Sequence, residues 1–566
     1  MNAKRLSAQL EPTTLHLLTK FYHMHRLFRS VFIVFLTACS LVHAQTIQRP
    51  KLVVGIVIDQ MRWDYLYRYY DRYATNGGFK RMLNQGFTCE NTLIPYTPTV
   101  TACGHASIYT GSVPAINGIT GNFWWDKNQM RAVYCTEDKT VKTVGSTTAL
   151  GLQSPRNMLV TSICDELRLA TNFKSKVIGI SLKDRGGIIP AGHSANAAYW
   201  YDNTVGSWIS STYYMTDLPA WVKDFNSKKM VDNFYTRGWQ LLYPANTYTQ
   251  STADDKKYEN KPFGAEAKGF PYELKSFVGK NYGAILTTPM GNTLTSEFAK
   301  TAITNEQLGA DAITDILALS YSSPDYIGHS FGPNSIEAED GFLRLDRELG
   351  DLLDFLDTKV GKDQYTVFLS ADHGVTQVPE FLLENKLPAG RVFMSTVTGQ
   401  LNKNLAEKYK VARLVVSDDN YQLHFNHRLL DSAKIDTDDL AKWICDYLSV
   451  EPGIARAFPI DELNEVPLPA RIREMINNGY YPPRNGDVQI ILHSHYMDAW
   501  SMSGTTHGLW NPYDAHIPLL WYGWGIKHGK TNRETYMSDI APTLAALLHI
   551  QMPSGSVGHV ITEVLK

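Results

Sequence analysis

Leu52-Val-Val-Gly-Ile-Val-Ile58, followed at once by Asp59, reads as an apolar β-strand that ends in a residue suited to gripping a cation. Three more stretches repeat the pattern. Lys176-Val-Ile-Gly-Ile-Ser-Leu182 runs into Lys183 and Arg185, and Ile316-Leu-Ala-Leu-Ser320 leads to Asp325 and His329. Tyr365-Thr-Val-Phe-Leu-Ser370 runs into Asp372-His373. Near-continuous Val/Ile/Leu runs suit strands buried on both faces, the habit of a mostly parallel central sheet flanked by helices. Open α/β sheets bind ligands beyond the carboxyl ends of their strands. Polar residues gathering there after four separate strands predict one shared site, which is the layout of an enzyme.

With 566 residues, 44% of them hydrophobic, the chain is long enough for a substantial core. A formal net charge of -2 argues against a nucleic-acid binder working by bulk electrostatics. Residues 1–44 read as a signal peptide: His25-Arg-Leu-Phe-Arg29 supplies positive charge and Val31-Phe-Ile-Val-Phe-Leu36 the apolar core. Val42-His-Ala44 resembles a small-residue cleavage site, so the protein is expected to be periplasmic or extracellular. Leu36-Thr-Ala-Cys39 fits a competing lipoprotein signal, with a lipid anchor on Cys39 and an outer-membrane location. The apolar run is short for an uncleaved span, and no other segment is long enough to cross a membrane. Cleavage after Ala44 leaves Cys89, Cys103, Cys135, Cys164 and Cys445, an odd count whose spacings match no zinc-cysteine motif.

From 45 to 566 the sequence reads as one catalytic domain with two insertions, at about 187–305 and 379–485. The first is dense in Tyr, Trp, Asn and Lys, and is expected to cover the sheet's carboxyl edge. In the second, Val415-Val416 and Tyr421-Gln-Leu-His-Phe425 suggest a small antiparallel sheet. Between them, Phe342, Leu345, Leu349, Leu352 and Leu356 fall on one face of a predicted helix over 340–357. A closing helix is predicted around 540–548, with Ser538 or Asp539 as its cap.

Asp325 and His329, four apart, share one face of a helical turn and can hold one metal. Alone the pair is weak, as are Asp59, Asp372-His373 and His507 in Gly504-Thr-Thr-His-Gly508. Together they supply three aspartates and three histidines. Oxygen and imidazole without thiolate suit zinc, and six ligands are enough for two ions with open positions. In Pro98-Thr-Val-Thr-Ala-Cys-Gly-His-Ala-Ser107, a hydroxyl followed by small residues would sit at a helix N-terminus, where an anion is favoured. Thr99, Thr101 and Ser107 all qualify on chemistry; N-capping is the plainer role. Lys183 and Arg185 alternate on an expected extended segment, so both should point to one side and suit a multiply charged anion. His493 and His495 look like a metal pair on a strand, but both sites are already supplied.

With these residues in place the chain resembles the alkaline phosphatase superfamily. The likeness is greatest to the phosphate-irrepressible periplasmic alkaline phosphatases, relatives of the nucleotide pyrophosphatase/phosphodiesterases. The motifs run in order: Asp59, Pro-Thr-x-Thr, Asn122 in Gly121-Asn-Phe-Trp, Lys183-Asp-Arg185, Asp325-x-x-x-His329, Asp372-His373, Thr506-His507-Gly508 and Asp-Ile-Ala-Pro-Thr-Leu. The resemblance implies Thr101 as nucleophile, with Asn122, Lys183 and Arg185 holding substrate phosphate oxygens. It implies one Zn2+ on Asp325, His329 and His507, and a second on Asp59, Asp372, His373 and the Thr101 oxygen. Lys183 and Arg185 match the pair that marks the monoesterase branch. Cys103 stands where relatives often carry proline, and its surroundings do not fit the sulfatase motif. His105 is expected to be a structural hydrogen bonder. The implied activity is hydrolysis of small phosphate monoesters through a phosphothreonine intermediate. A phosphodiesterase or nucleotide pyrophosphatase on the same scaffold, and a catalytically idle exported binding protein, are the alternatives.

Overall fold

The four apolar runs lie side by side. In the computed structural model, β1 (Leu52–Ile58), β2 (Val177–Ser181), β3 (Asp315–Tyr321) and β4 (Tyr365–Ser370) are buried along their whole length. β1 pairs with β4 on one side and β3 on the other, and β3 pairs in turn with β2, all in parallel. The register sets Val57 opposite both Ser370 and Ser320, and Ser320 opposite Ser181. The carboxyl ends are therefore level, and the polar residues after them emerge along one edge.

The structure describes residues 20–25 and 47–566. The chain divides into units 1–49 and 50–566; in the first, residues 20–25 are helical. The apolar run 31–36, Cys39 and the expected cleavage site after Ala44 lie outside the described residues. Among those residues no helix is long and apolar enough to cross a membrane.

The sheet has eleven strands among the described residues: its central strands are parallel, as expected, and its flanks make it mixed overall. Beyond β4 come Leu519–Gly523 and Phe87–Leu93, both paired antiparallel; beyond β2, Ala197–Asp202 is parallel but Ser207–Ser211 folds back against it. Of these flanking pairs, Ala197–Asp202 and Ser207–Ser211 are joined by a tight turn, as antiparallel neighbours can be. Two of these strands lie within 187–305, as does the core-packed helix Met290–Glu306, so the irregular part of that stretch is shorter than its expected limits. Within 379–485, Val415–Ser417 and Gln422–Phe425 pair antiparallel as expected. Val488–Leu492 and Ile454–Pro459 complete a separate four-stranded sheet over its own core of Leu401, Leu405, Leu423, Leu440 and Ile444.

Three helices bear on the site. α1 (Thr101–Thr110) is wholly buried, and its small residues permit close approach: a Cβ on Gly104 would lie 2.3 Å from the Asp372 carbonyl oxygen. α2 (Asp184–Ala191) and α3 (Ser323–Phe331) follow β2 and β3 directly. A fourth helix, α4 (Ile336–Leu356), buries Phe342, Leu345, Leu349, Leu352 and Leu356 as its periodicity predicts. Its first turns also bury acids that fasten the aromatic-rich stretch. Asp340 accepts from Trp239 Nε1 (2.8 Å) and Leu242 N–H (2.7 Å), Glu337 from the Tyr272 hydroxyl (2.5 Å), and Glu339 pairs with Arg72 (2.9 Å). The closing helix spans Ile540–Leu548. Asp539 stands at its N-cap position, yet its carboxylate accepts from Tyr536 and His559 N–H instead of capping the helix. All five described cysteines are free thiols, four of them buried, so packing is their role.

Candidate active site

Level strand ends bring the separated motifs into two adjoining ligand groups. Asp325 and His329, one turn apart on α3, meet His507 from a loop far along the chain; Asp59, after β1, meets Asp372 and His373, after β4. Within each group the ligand atoms lie within 4.8 Å of one another. His329 Nε2 is 3.1 Å and His507 Nε2 3.5 Å from Asp325 Oδ1, and His373 Nε2 is 3.4 Å from Asp59 Oδ1. The Nδ1 atoms of His329, His507 and His373 each face a backbone carbonyl, of Thr505, Thr99 and Gly374, at 2.8–2.9 Å. A carbonyl only accepts, so Nδ1 carries the proton and Nε2 presents its lone pair to the group.

Two observations fit these groups to divalent cations. Asp59 Oδ1 and Asp372 Oδ2 are buried with no hydrogen-bond partner, which is costly unless a positive charge faces them. The donors are carboxylate and imidazole throughout. The electrostatics agree. Burial works to raise the Asp59 pKa, but the Lys183 ammonium and His373 together outweigh it and hold the carboxyl at about 2. Burial likewise works against charge on Asp325, while His329 and Lys183 bring it well below the usual range. Burial and the neighbouring His373 press His507 down to about 3, so its ring is neutral, the form a metal would bind. His373 is raised to about 9, because Asp372 and Asp59 overcome the effect of burial; without an ion its Nε2 also carries a proton, which a bound metal must displace.

Of the three hydroxyl candidates, Thr101 reaches the ligand groups. It is the first residue of α1, and its Oγ1 lies 3.4 Å from His373 Nε2. The Thr99 hydroxyl donates instead to Leu509 O (2.8 Å), and Ser107 is buried further along α1. Asn122 Oδ1 accepts from the Ala102 N–H at 3.0 Å, which leaves its amide NH2 as the donor beside the start of α1. Lys183 Nζ donates to Asp59 Oδ2 and Asp325 Oδ2, each at 2.6 Å, so one ammonium ties the two ligand groups together. The basis expected for pairing Lys183 with Arg185 is corrected. Lys183 is the extended N-cap of α2 and Arg185 lies in its first helical turn, so they do not alternate along a strand. The helix places them close enough for the guanidinium to oppose the ammonium's charge. Arg185 donates to the Tyr134 hydroxyl (3.0 Å), while its buried Nε has no partner.

The thiol of Cys103 donates to Ile119 O (3.1 Å), and burial pushes its pKa far up, so it is inert. His105 bridges Thr101 O and Ser320 Oγ, both at 2.9 Å, the structural role expected of it. His493 and His495 lie in a turn with His495 stacked on Tyr513, and neither is in a ligand group.

Two contributors escaped the sequence. Gln60 adopts a left-handed backbone (φ 67°), rare for a residue with a side chain. Its N–H donates to Asp372 Oδ1 (3.1 Å) and its Nε2 to Asp325 Oδ1 (2.6 Å), so it braces one carboxylate of each group. Gly328 makes the room: a Cβ there would lie 1.8 Å from Gln60 Oε1. Asp514 accepts from Leu509 N–H (3.0 Å) and Thr376 Oγ1 (3.3 Å), and burial raises it to about 7. Adjacency to Asp59 was the only available signal for Gln60; Asp514 had none.

Comparison with known proteins agrees with this geometry. Residues 53–510 match the model of the type I phosphodiesterase / nucleotide pyrophosphatase family. The chain is 55% identical to alkaline phosphatase PhoV of Synechococcus elongatus over 93% of this chain and 94% of the relative. It is 52% identical to a protein of Myroides odoratus named calcium-transporting ATPase, over 92% and 96% of the two chains. Alkaline phosphatase PafA of Elizabethkingia meningoseptica is 49% identical over 92% and 95%. A crystal structure of PafA superposes with a TM-score of 0.90, covering 92% of this chain and all of the other. A shared fold, two ligand groups at level strand ends and near-full-length identity make this chain a member of the type I phosphodiesterase / nucleotide pyrophosphatase family, within the alkaline phosphatase superfamily.

Proposed function

We propose that the chain is an exported alkaline phosphatase, a phosphoric monoester hydrolase that works with two Zn2+ and a phosphothreonine intermediate at Thr101. The observation that carries this reading is Lys183, whose ammonium lies between the ligand groups at 2.6 Å from a carboxylate of each. An ammonium has three N–H donors. Two are engaged with Asp59 and Asp325, and the third is available to a phosphoryl oxygen. The names of PhoV and PafA support the same activity.

Asp325, His329 and His507 would hold one ion, and Asp59, Asp372 and His373 with the Thr101 oxygen the other. Bound there, the ions supply Lewis acidity to the nucleophilic hydroxyl and to the departing oxygen. Thr101 Oγ1 attacks phosphorus in line as the bond to the alcohol oxygen breaks, and the alcohol leaves. Water then attacks the phosphothreonine from the vacated side, freeing Thr101 and inorganic phosphate. Charge spreads over the equatorial oxygens in both steps, and Lys183, Arg185 and the Asn122 amide hold those oxygens.

The test compares kcat/KM for a phosphate monoester and a diester sharing one leaving group, on zinc-loaded protein. A large monoester preference is expected. A diester preference would move the enzyme to the phosphodiesterase branch that the family's name includes. Export is checked separately by sequencing the mature N-terminus: a start at Gln45 supports cleavage after Ala44, and lipid on Cys39 supports the other route.

A further inference from the structure

The imidazole rings of the site form a chain with a direction. His373, whose Nε2 is beside the Thr101 hydroxyl, stacks on His507 at 3.5 Å between ring centroids. His507 is followed by His329 at 5.1 Å, and His329 by Trp500 at 5.8 Å. The nucleophile stands at one end and the indole at the other.

Trp500 is 72% exposed and Met502, two residues on, is 70% exposed. A tryptophan brings a large apolar surface that folding ordinarily buries. The loop that carries it is nevertheless held in place. Ala499 N–H donates to Val392 O (2.7 Å), Gly504 N–H to Tyr258 O (2.7 Å) and Thr505 N–H to His329 O (3.0 Å). Arg391, ion-paired with Glu380, also donates to Gly504 O (2.9 Å). Trp500 and Met497 line a narrow groove that opens on His329. The indole is thus an exposed face on an anchored loop, beside a ligand-group histidine.

In-line displacement sends the leaving group away from the nucleophile, here toward the His329 end of the row. We propose that Trp500, flanked by Met502, is a leaving-group subsite for planar aromatic alcohols, and that aryl phosphate monoesters are a preferred substrate class. The phosphate is gripped beside Lys183, between the two ligand groups, while the departing ring lies against the indole. This rests on the phosphomonoesterase reading above.

The experiment measures kcat/KM for phenyl phosphate and methyl phosphate, and inhibition by phenylphosphonate and methylphosphonate, in the zinc-loaded wild type, Trp500→Ala and Trp500→Phe. The phosphonates report binding without departure of a leaving group. A lost aromatic pair is worth about two- to tenfold. The phenyl-over-methyl ratio should fall by that factor in Trp500→Ala, in both turnover and inhibition, and be retained in Trp500→Phe. A ratio unchanged in Trp500→Ala, whatever happens to total activity, overturns the subsite. Failure of the phosphatase reading would show earlier and elsewhere, as a wild-type preference for a phenyl diester over phenyl phosphate.

Discussion

Thr101 is the hydroxyl that opens α1 and lies 3.4 Å from His373, whereas Thr99 spends its hydroxyl on Leu509 O. Thr101→Ala should therefore abolish the phosphoenzyme trapped from labelled substrate and cut kcat at least a thousandfold; Thr99→Ala should leave the phosphoenzyme in place. The reverse outcome would move the nucleophile by two residues. Lys183→Ala removes a buried cation that faces both ligand groups. It should cost about 3 to 4 kcal/mol of barrier for monoesters, by analogy with oxyanion-donor deletions. A diester carries one charge fewer and should lose far less; equal losses would refute the assigned role. The two groups were legible because their members follow apolar strands, with Asp325 and His329 one helical turn apart, or stand in a glycine-rich loop. Gln60 was not, since its part depends on a left-handed backbone and on the notch at Gly328. Trp500 escaped because an isolated aromatic in a loop has no period to betray it.

At the scale of elements, the fit between α1 and the segment after β4 fixes Thr101 against the Asp59, Asp372 and His373 group. Gly104 is the contact point, with Asp372 O 2.3 Å from where a Cβ would sit. Gly104→Ala must displace backbone, so it should destabilise by about 1 to 3 kcal/mol. It should also release zinc at lower chelator concentration than the wild type. Unchanged metal retention would show that α1 and the Asp372 segment move independently. The four central strands could be read from the sequence because burial on both faces demands unbroken apolar runs. Phe87–Leu93 and Ala197–Asp202 could not: FTCENTL and AAYWYD mix polar, small and aromatic residues, and their place comes from their partners. The same limit explains why the parallel centre of the sheet was legible and its antiparallel flanks were not. The basis for the Lys183 and Arg185 pair failed at an element boundary, because the strand gives way to α2 one residue sooner than alternation requires.

For the whole molecule, removal of metal and change of pH act on the same balance. Dialysis against a chelator should abolish activity and lower Tm, and zinc should restore both, since an ion that binds only the folded chain stabilises it by mass action. Full activity of verified metal-free protein would remove the two-ion mechanism. The buried acids that dock the aromatic-rich stretch add a pH term. Burial raises Glu259 to about 7, and Asp254 and Glu337 are raised for the same reason. Between the ordinary carboxyl value and pH 7 the folded chain keeps a proton that the unfolded chain has lost. Stability must therefore fall as pH rises through that window, by on the order of 3 kcal/mol for Glu259 alone. Glu259→Gln still accepts from Lys256 N–H but does not titrate, so Tm should decline less between pH 5 and 8. Parallel declines in the two proteins would place the pH term elsewhere.

The two ligand groups also differ in when they become available. Asp59, Thr101, Asp372 and His373 have all been synthesised once the chain has passed residue 373, about two-thirds of the way along. The group built on Asp325 and His329 must wait for His507, near the end. A growing chain therefore has every residue of the Thr101 group while the other group still lacks its third member. Termination anywhere between those points leaves Asp325 and His329 without His507, so the roughly 130 residues from 373 to 507 separate the completion of the two groups.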